Sequence, residues 1–138
     1  CFETVVTGNR VVERARKALT TVKDTAITPD SLKRIGDLFE GADKGDPFAQ
    51  SQLDFVVEQF ANMLYNMQIM YDPDMVIIQG IYANSGTYIK KKLNEAVTEL
   101  SLYSIAKGLR LVFDDHDFRE AVTIGASYYC REKFIMLM

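Results

Sequence analysis

The chain has 138 residues, 48% hydrophobic and 25% charged, which supplies the core of one compact domain and excludes a disordered segment. Lys and Arg number 16 and Asp and Glu 19, a formal charge of −3, so nothing in the overall balance recommends a nucleic-acid-binding surface. Cys1 and Cys130 stand at opposite ends and form no disulfide framework of the secreted kind; with no apolar run long enough for a membrane span, the expectation is a soluble, cytoplasmic protein with no membrane partner. Because the first residue is not methionine, residues 1–138 are expected to be a single domain cut from a longer polypeptide.

Taken in chain order, residues 2–6 form a short β-like run, and Thr7-Gly8-Asn9 offers cap chemistry for a helix whose buried side carries Val11, Val12, Ala15, Arg16, Ala18, Leu19 and Val22. Thr28-Pro29 predicts the start of a shorter helix with Leu32, Ile35, Leu38 and Phe39 as its apolar positions, followed by a polar loop over 40–45. Asp46-Pro47 then starts a long helix. Leu53, Val56, Val57, Phe60, Ala61 and Leu64 lay one apolar stripe along it, and Met63, Met67 and Met70 a second, which fits core or interface filling. Asp72-Pro73 ends it, since the residue before proline is pushed out of the helical region.

Met75, Val76, Ile77 and Ile78 are a continuous apolar run of strand length, expected to be buried on both faces as in a parallel sheet. Tyr82-Ala83-Asn84-Ser85-Gly86 supplies a turn and cap for a helix carrying Ile89, Leu93, Ala96, Val97 and Leu100. Its Lys90-Lys91-Lys92 run reads as a solvated face. Gly108 breaks the pattern, residues 109–113 read as a second strand, and Asp114, Asp115 and Asp117 surround His116, the one histidine. Consecutive turn residues point in different directions, so this cluster reads as a polar strand-to-helix turn, with Asp117 able to cap the last helix. That helix starts near Phe118 and carries Ala121, Val122, Gly125, Ala126 and Tyr129 on one side, small enough to admit a neighbouring backbone. Cys130 sits on it as a small residue with no activating neighbour in sequence. The alternation predicts helices packed on a small, mostly parallel sheet.

The Gly45-Asp46-Pro47 helix start, the Asp72-Pro73 turn, the apolar strand ending in Gly80 and the closing Ala121-Val122-Thr123-Ile124-Gly125-Ala126-Ser127 helix together resemble the C-terminal half of ROK proteins (repressor, open reading frame, kinase). That family contains bacterial sugar kinases and sugar-responsive transcriptional regulators. The resemblance implies an α/β fold of the actin-like ATPase, ribonuclease H-like type, of which this chain would be the C-terminal lobe. It covers nearly the whole chain.

At the beginning of the chain, Cys1-Phe2-Glu3 is similar to the end of the family's C-x-C-G-x-x-G-C-x-E motif, and residues 4–19 continue it with a turn and a helix. The resemblance implies that Glu3 hydrogen-bonds sugar hydroxyls, and that Cys1 is one ligand of a structural zinc site whose other thiolates are absent here. Taken alone, a C-x-E triplet is equally a surface glutamate beside a chain end. In the family's kinases the central strand usually ends in Gly-Gly, close to the adenosine of ATP, whereas this chain has Gln79-Gly80, so nucleotide binding at the Gly80 turn is doubtful. Neither G-x-G-x-x-G nor G-x-x-x-x-G-K-[ST] is present to replace it.

The expectation is a sugar-binding, dimerising lobe of a transcriptional regulator of carbohydrate metabolism, with the alternative of the same lobe in an ATP-dependent sugar kinase. The phosphate loop and catalytic aspartate would lie in the other half, so this piece should have no catalysis of its own. It should need no cofactor, with zinc expected only in the full-length protein. DNA would be met only through an N-terminal helix-turn-helix outside the chain.

Overall fold

The computed structural model describes residues 2–22, 24–103 and 108–136. Six helices and two strands follow one another: α1 Glu3–Val6, α2 Gly8–Leu19, α3 Ile35–Asp43, α4 Pro47–Tyr71, β1 Met75–Ile78, α5 Gly86–Tyr103, β2 Arg110–Phe113 and α6 Phe118–Met136. No helix among the described residues is long and apolar enough to cross a membrane.

The long helix α4 is the axis of the core, packed against α5, α3, α1 and α2. Its first stripe is buried as the spacing predicts: Leu53, Val56, Val57, Phe60 and Leu64 face inward, and the buried Gln68 extends the stripe by one further turn. Asp46 starts α4 by accepting from the Ala49 amide at 2.9 Å, with Pro47 in the first turn. The helix stops at Asp72, whose φ of 44° and ψ of 52° are left-handed, a conformation that Asp and Asn tolerate better than most residues. Opposite α4, helix α5 contributes Ile89, Leu93 and Val97, and α2 contributes Val11, Val12, Ala15 and Leu19.

β1 and β2 pair in parallel, with Met75 opposite Arg110 and Ile78 opposite Phe113, and α5 forms the crossover between them. The ladder runs one step beyond each end: the Arg110 amide donates to the Asp74 carbonyl at 3.3 Å, and the Asp114 amide to the Ile78 carbonyl at 2.9 Å. Val76 and Leu111 pack on a small cluster of Leu64, Val97 and Leu109, which joins the sheet to the end of α4.

Several expectations need correction. Residues 2–6 are a helical turn rather than a strand: Val5 and Val6 donate back to the Phe2 carbonyl, and the Phe2 ring sits edge-on against Phe60 of α4. Tertiary packing here overrides the β-branched composition, so this run adds no strand to the sheet. Thr28-Pro29 makes only a turn. The third helix begins at Ile35, where Asp37 accepts from the Lys33 and Arg34 amides at 2.7 and 2.8 Å, and continues to Asp43 through the expected loop.

β1 is covered on one face only: Ile78 is buried, whereas Met75 and Ile77 are 38% and 54% exposed, because no layer lies beyond them among the described residues. The small-residue side of α6 is likewise largely open among the described residues. Val122 and Tyr129 are exposed, and a Cβ built on Gly125 would touch nothing within 4 Å. Of the side chains assigned to the inside of α2, Arg16 is exposed and donates to the Leu32 carbonyl at 2.7 and 3.0 Å, and Val22 lies exposed beyond the helix end. Thr7 does precede α2, but its side chain forms no cap hydrogen bond.

Candidate functional site

The C-terminal ends of β1 and β2 bring together two sequence features that are far apart in the chain. Parallel strands open a crevice at their carboxyl ends, where ligands of α/β proteins usually bind. Here the crevice holds Gln79 and Gly80 after β1 and residues 114–117 after β2. A groove of about 400 Å³ lies beneath them, lined in part by Gly80, Ile81, Asn84, Asp115, His116 and Asp117 from the strand ends, by Arg34 just before α3 and by Gly36 and Phe39 within it.

Gly80 has φ of +75°, a left-handed conformation that favours glycine, and begins a 3-10 turn over Gly80–Tyr82. Nothing would lie within 4 Å of a Cβ at Gly80, so it is the backbone turn rather than crowding that calls for glycine. Gln79 folds back across the sheet and donates from Nε2 to Asp114 Oδ2 at 2.7 Å, tying the two strand ends together. The other carboxylate oxygen of Asp114 receives the His116 backbone amide at 3.2 Å and stands against His116 Nδ1. The Gln79 amide first, and His116 after it, hold the Asp114 carboxyl down at about 2. The same contact raises His116 above its ordinary value, because the carboxylate favours the charged ring.

The polar-turn reading of this cluster agrees with the contacts. Asp114 closes a local turn onto His116, and Asp117 Oδ1 accepts the Arg119 amide at 2.8 Å at the start of α6. Ligand atoms of Asp114, Asp115 and His116 lie within 4.8 Å of one another, the spacing of a possible cation site. The Asp114 oxygens are already engaged by Gln79 and His116, and Asp115 and His116 are exposed, so the grouping is accounted for by the turn itself.

Glu3 stands apart from the groove lining, in the first turn of α1, exposed and without a hydrogen bond or ion pair to its side chain among the described residues. Such an unengaged carboxylate has its acceptor positions open. Cys1 lies outside the described residues. Cys130 is exposed on α6, and the three-ligand grouping found among the described residues contains no thiolate.

Although the strand-end turn and α1 are distant in sequence, they are joined inside the protein. Tyr82, the last residue of the Gly80 turn, is buried and donates its hydroxyl to the Val6 carbonyl at the end of α1. Its ring stands edge-on to Phe60 at 4.8 Å and to Phe39 at 6.0 Å between centroids. Burial pushes its hydroxyl up to about 12, so it remains a donor at physiological pH. Sequence reasoning missed Tyr82, because a lone tyrosine in a turn carries no pattern. It also missed Arg34 and Gly36, whose only signal was the acidic residue at the third position of α3.

A larger cavity of about 470 Å³, lined in part by Ile27, Ser31, Asp37, Glu40, Lys44 and Asp46, lies away from both features. Its acids are structural. Asp46 receives Thr25 and Ala26 as well as Ala49, and Asp37 receives two backbone amides.

Comparison with known proteins places the chain in a defined neighbourhood. The sequence model of the ROK family matches residues 1–133. A glucokinase of Halalkalibacterium halodurans is 24% identical over 112 residues, 78% of this chain and 34% of that protein, so the chain spans about a third of the relative's length. A ROK family glucokinase from Streptomyces griseus, solved with glucose and AMPPNP, superposes with a TM-score of 0.68 at 16% identity over 81% of this chain and 38% of that one. A ROK family transcriptional regulator, a homologue of the E. coli MLC protein, superposes with a TM-score of 0.66 at 15% identity over 80% of this chain and 28% of that one.

Proposed function

Because this chain belongs to the ROK family, we propose that it is the C-terminal sugar-binding and dimerising lobe of a sugar-responsive transcriptional regulator, part of a longer bacterial cytoplasmic polypeptide. Its α/β architecture is of the actin-like ATPase type that the family's kinases and regulators share. Kinship to both kinds of protein leaves the choice to the chain's own residues.

The observation that carries the regulator reading is Gln79. Where a second glycine would leave the strand end open to an adenosine, a side chain crosses from β1 to Asp114 beside the groove. An ATP base entering there would have to displace a hydrogen bond to an ionised carboxylate, which is stronger than a neutral one. Glu3 supports the sugar half of the reading, since its exposed carboxylate has no competing partner among the described residues. In the proposed protein, sugar binding biases one domain arrangement over another, and DNA is met by a helix-turn-helix outside this chain. Dimerisation through the exposed apolar surface of this lobe, and a zinc site completed around Cys1 by ligands outside it, belong to the same proposal.

The alternative, a sugar kinase acting with ATP, is favoured by one feature: Gly80 keeps its left-handed turn at the mouth of the groove. Calorimetric titration of the full-length polypeptide separates the two, using glucose, mannose, fructose and N-acetylglucosamine as sugar probes and ATP as the nucleotide. Sugar binding weakened by about tenfold or more in Glu3→Gln, the scale of a lost hydrogen bond to a charged group, with no heat from ATP, is the expected result. Tight ATP binding would make the protein a kinase. An unchanged Glu3→Gln titration would remove Glu3 from the sugar site.

A further inference from the structure

We infer that Tyr82 is a positioning residue for Glu3, holding in place, from within the core, the helical turn that carries this carboxylate. The inference rests on the reading of Glu3 as a sugar-binding residue. A four-residue helix cannot hold its own position, because a single turn gains too few hydrogen bonds to offset the ordering of its backbone. α1, Glu3–Val6, is such a helix, so whatever fixes Glu3 in space must come from tertiary contacts.

Three contacts do this, and they converge on one aromatic cluster. The Phe2 ring stands edge-on to Phe60, with centroids 5.0 Å apart at 87°. Val6 is buried beneath α1. The Val6 carbonyl, one of the orphan acceptors at the helix end, receives the Tyr82 hydroxyl. Tyr82 in turn is wedged between Phe39 of α3 and Phe60 of α4, the same Phe60 that Phe2 meets. The hydroxyl is therefore a fixed donor. Removing it leaves the buried Val6 carbonyl without that partner, and a local shift of α1 toward water is the easiest way to satisfy it.

The consequence reaches both regions described above. Tyr82 closes the 3-10 turn that begins at Gly80, and Ile81 beside it would lie 3.4 Å from a Cβ built on Gly8, the first residue of α2. The Gly80 turn and the α1–α2 junction thus share a wall, and the position of Glu3 depends on the shape of the turn after β1.

The test is a double-mutant cycle in the full-length protein, read by calorimetric titration with glucose, mannose, fructose and N-acetylglucosamine. Tyr82→Phe retains the ring and removes the hydroxyl, and it should weaken sugar binding about fivefold while thermal unfolding shows the protein still folded, a coupling within the range seen for residues linked through one network. The same substitution in a Glu3→Gln background should add almost nothing, because its effect passes through Glu3. A purely structural role would instead give equal losses in both backgrounds and would overturn the inference. Phe2→Leu, which loosens α1 through its other anchor, should show the same non-additivity and decides the question should Tyr82→Phe fail to fold. Sugar binding that Glu3→Gln abolishes and Tyr82→Phe leaves unchanged removes the inference alone. No heat from any sugar, or a Glu3→Gln titration equal to the parent, removes the Glu3 reading and this inference with it.

Discussion

At the scale of single residues, the sharpest chemistry is the pairing of Asp114 with Gln79 and His116. Asp114 is depressed to about 2, so its contribution is complete above its ordinary value of 3.8 and is lost as pH falls toward 2. His116 is raised above 6.5, so its contribution is complete below that value and is lost as pH climbs through the raised one. Both partners are mainly charged between about pH 4 and 6.5, and since His116 is exposed and Asp114 only partly buried, screening by water keeps the pair's effect on global stability small. A local probe is the right one. As the sole histidine, His116 gives one set of ring resonances in proton NMR, whose midpoint should lie above 6.5 and return toward it in Asp114→Asn. A midpoint already at 6.5 in the parent would show that the pairing is absent in solution. Asp46 offers a stability test, since its carboxylate receives Ala49, Thr25 and Ala26. Asp46→Ala should cost about 1–2 kcal/mol in chemical denaturation, the upper range for a lost cap.

At the scale of elements, helix ends decide how the pieces meet. Asp43, the last residue of α3, receives the Thr87 and Tyr88 amides at 3.1 and 2.7 Å and the Thr87 hydroxyl at 3.0 Å, so the end of one helix caps the start of another. Burial alone would raise the Asp43 carboxyl, but these donors outweigh it and the net shift is downward. The cap works only because Gly86 stands at its centre. Gly86 has φ of +78°, and a Cβ there would come within 2.2 Å of Asp43 Oδ2. Gly86→Ala combines backbone strain with loss of the carboxylate's place, and a loss of about 2–4 kcal/mol of unfolding free energy by urea denaturation is expected. If Gly86→Ala and Asp43→Ala prove fully additive, the two residues do not act through one another.

At the scale of the molecule, the core and the exposed apolar surface lie in different places. The buried clusters draw on α1 to α5, the two strands and the adjoining turns, and among the described side chains none comes from α6. Removing residues 118–138 should therefore shift the thermal midpoint by only a few degrees, the scale of about 1 kcal/mol in a domain of this size. A collapse of the midpoint would place α6 in the core after all. The exposed side chains include Ile69, Met70, Tyr71 and Ile77 near the sheet and Ile124, Tyr129 and Phe134 on α6. Scattered apolar residues are ordinary on a surface, but a run along a whole helix invites a partner. Light scattering should find self-association at high concentration that weakens when Ile77 and Tyr129 are replaced by Ser, whereas a strictly monomeric chain would count against the dimerising role.

Local patterning alone determined much of this protein: the Asp46-Pro47 start and Asp72-Pro73 end of α4, the stripe from Leu53 to Leu64, the two strands and the polar turn around His116. These features are written in neighbouring residues, where caps, proline and helical periodicity act over a few positions. The likeness of Glu3 and Gly80 to family positions was also legible, because motifs are local strings. Tertiary structure decided the rest. It turned the β-branched run at 2–6 into a helix by seating Phe2 on Phe60, moved the start of α3 from Pro29 to Ile35, and left β1 and α6 uncovered on one side. It brought Gln79 to Asp114 across 35 positions and Tyr82 to Val6 across 76. Such contacts depend on how the helices and strands dock, a free energy summed over the whole core, and no short window of sequence contains it.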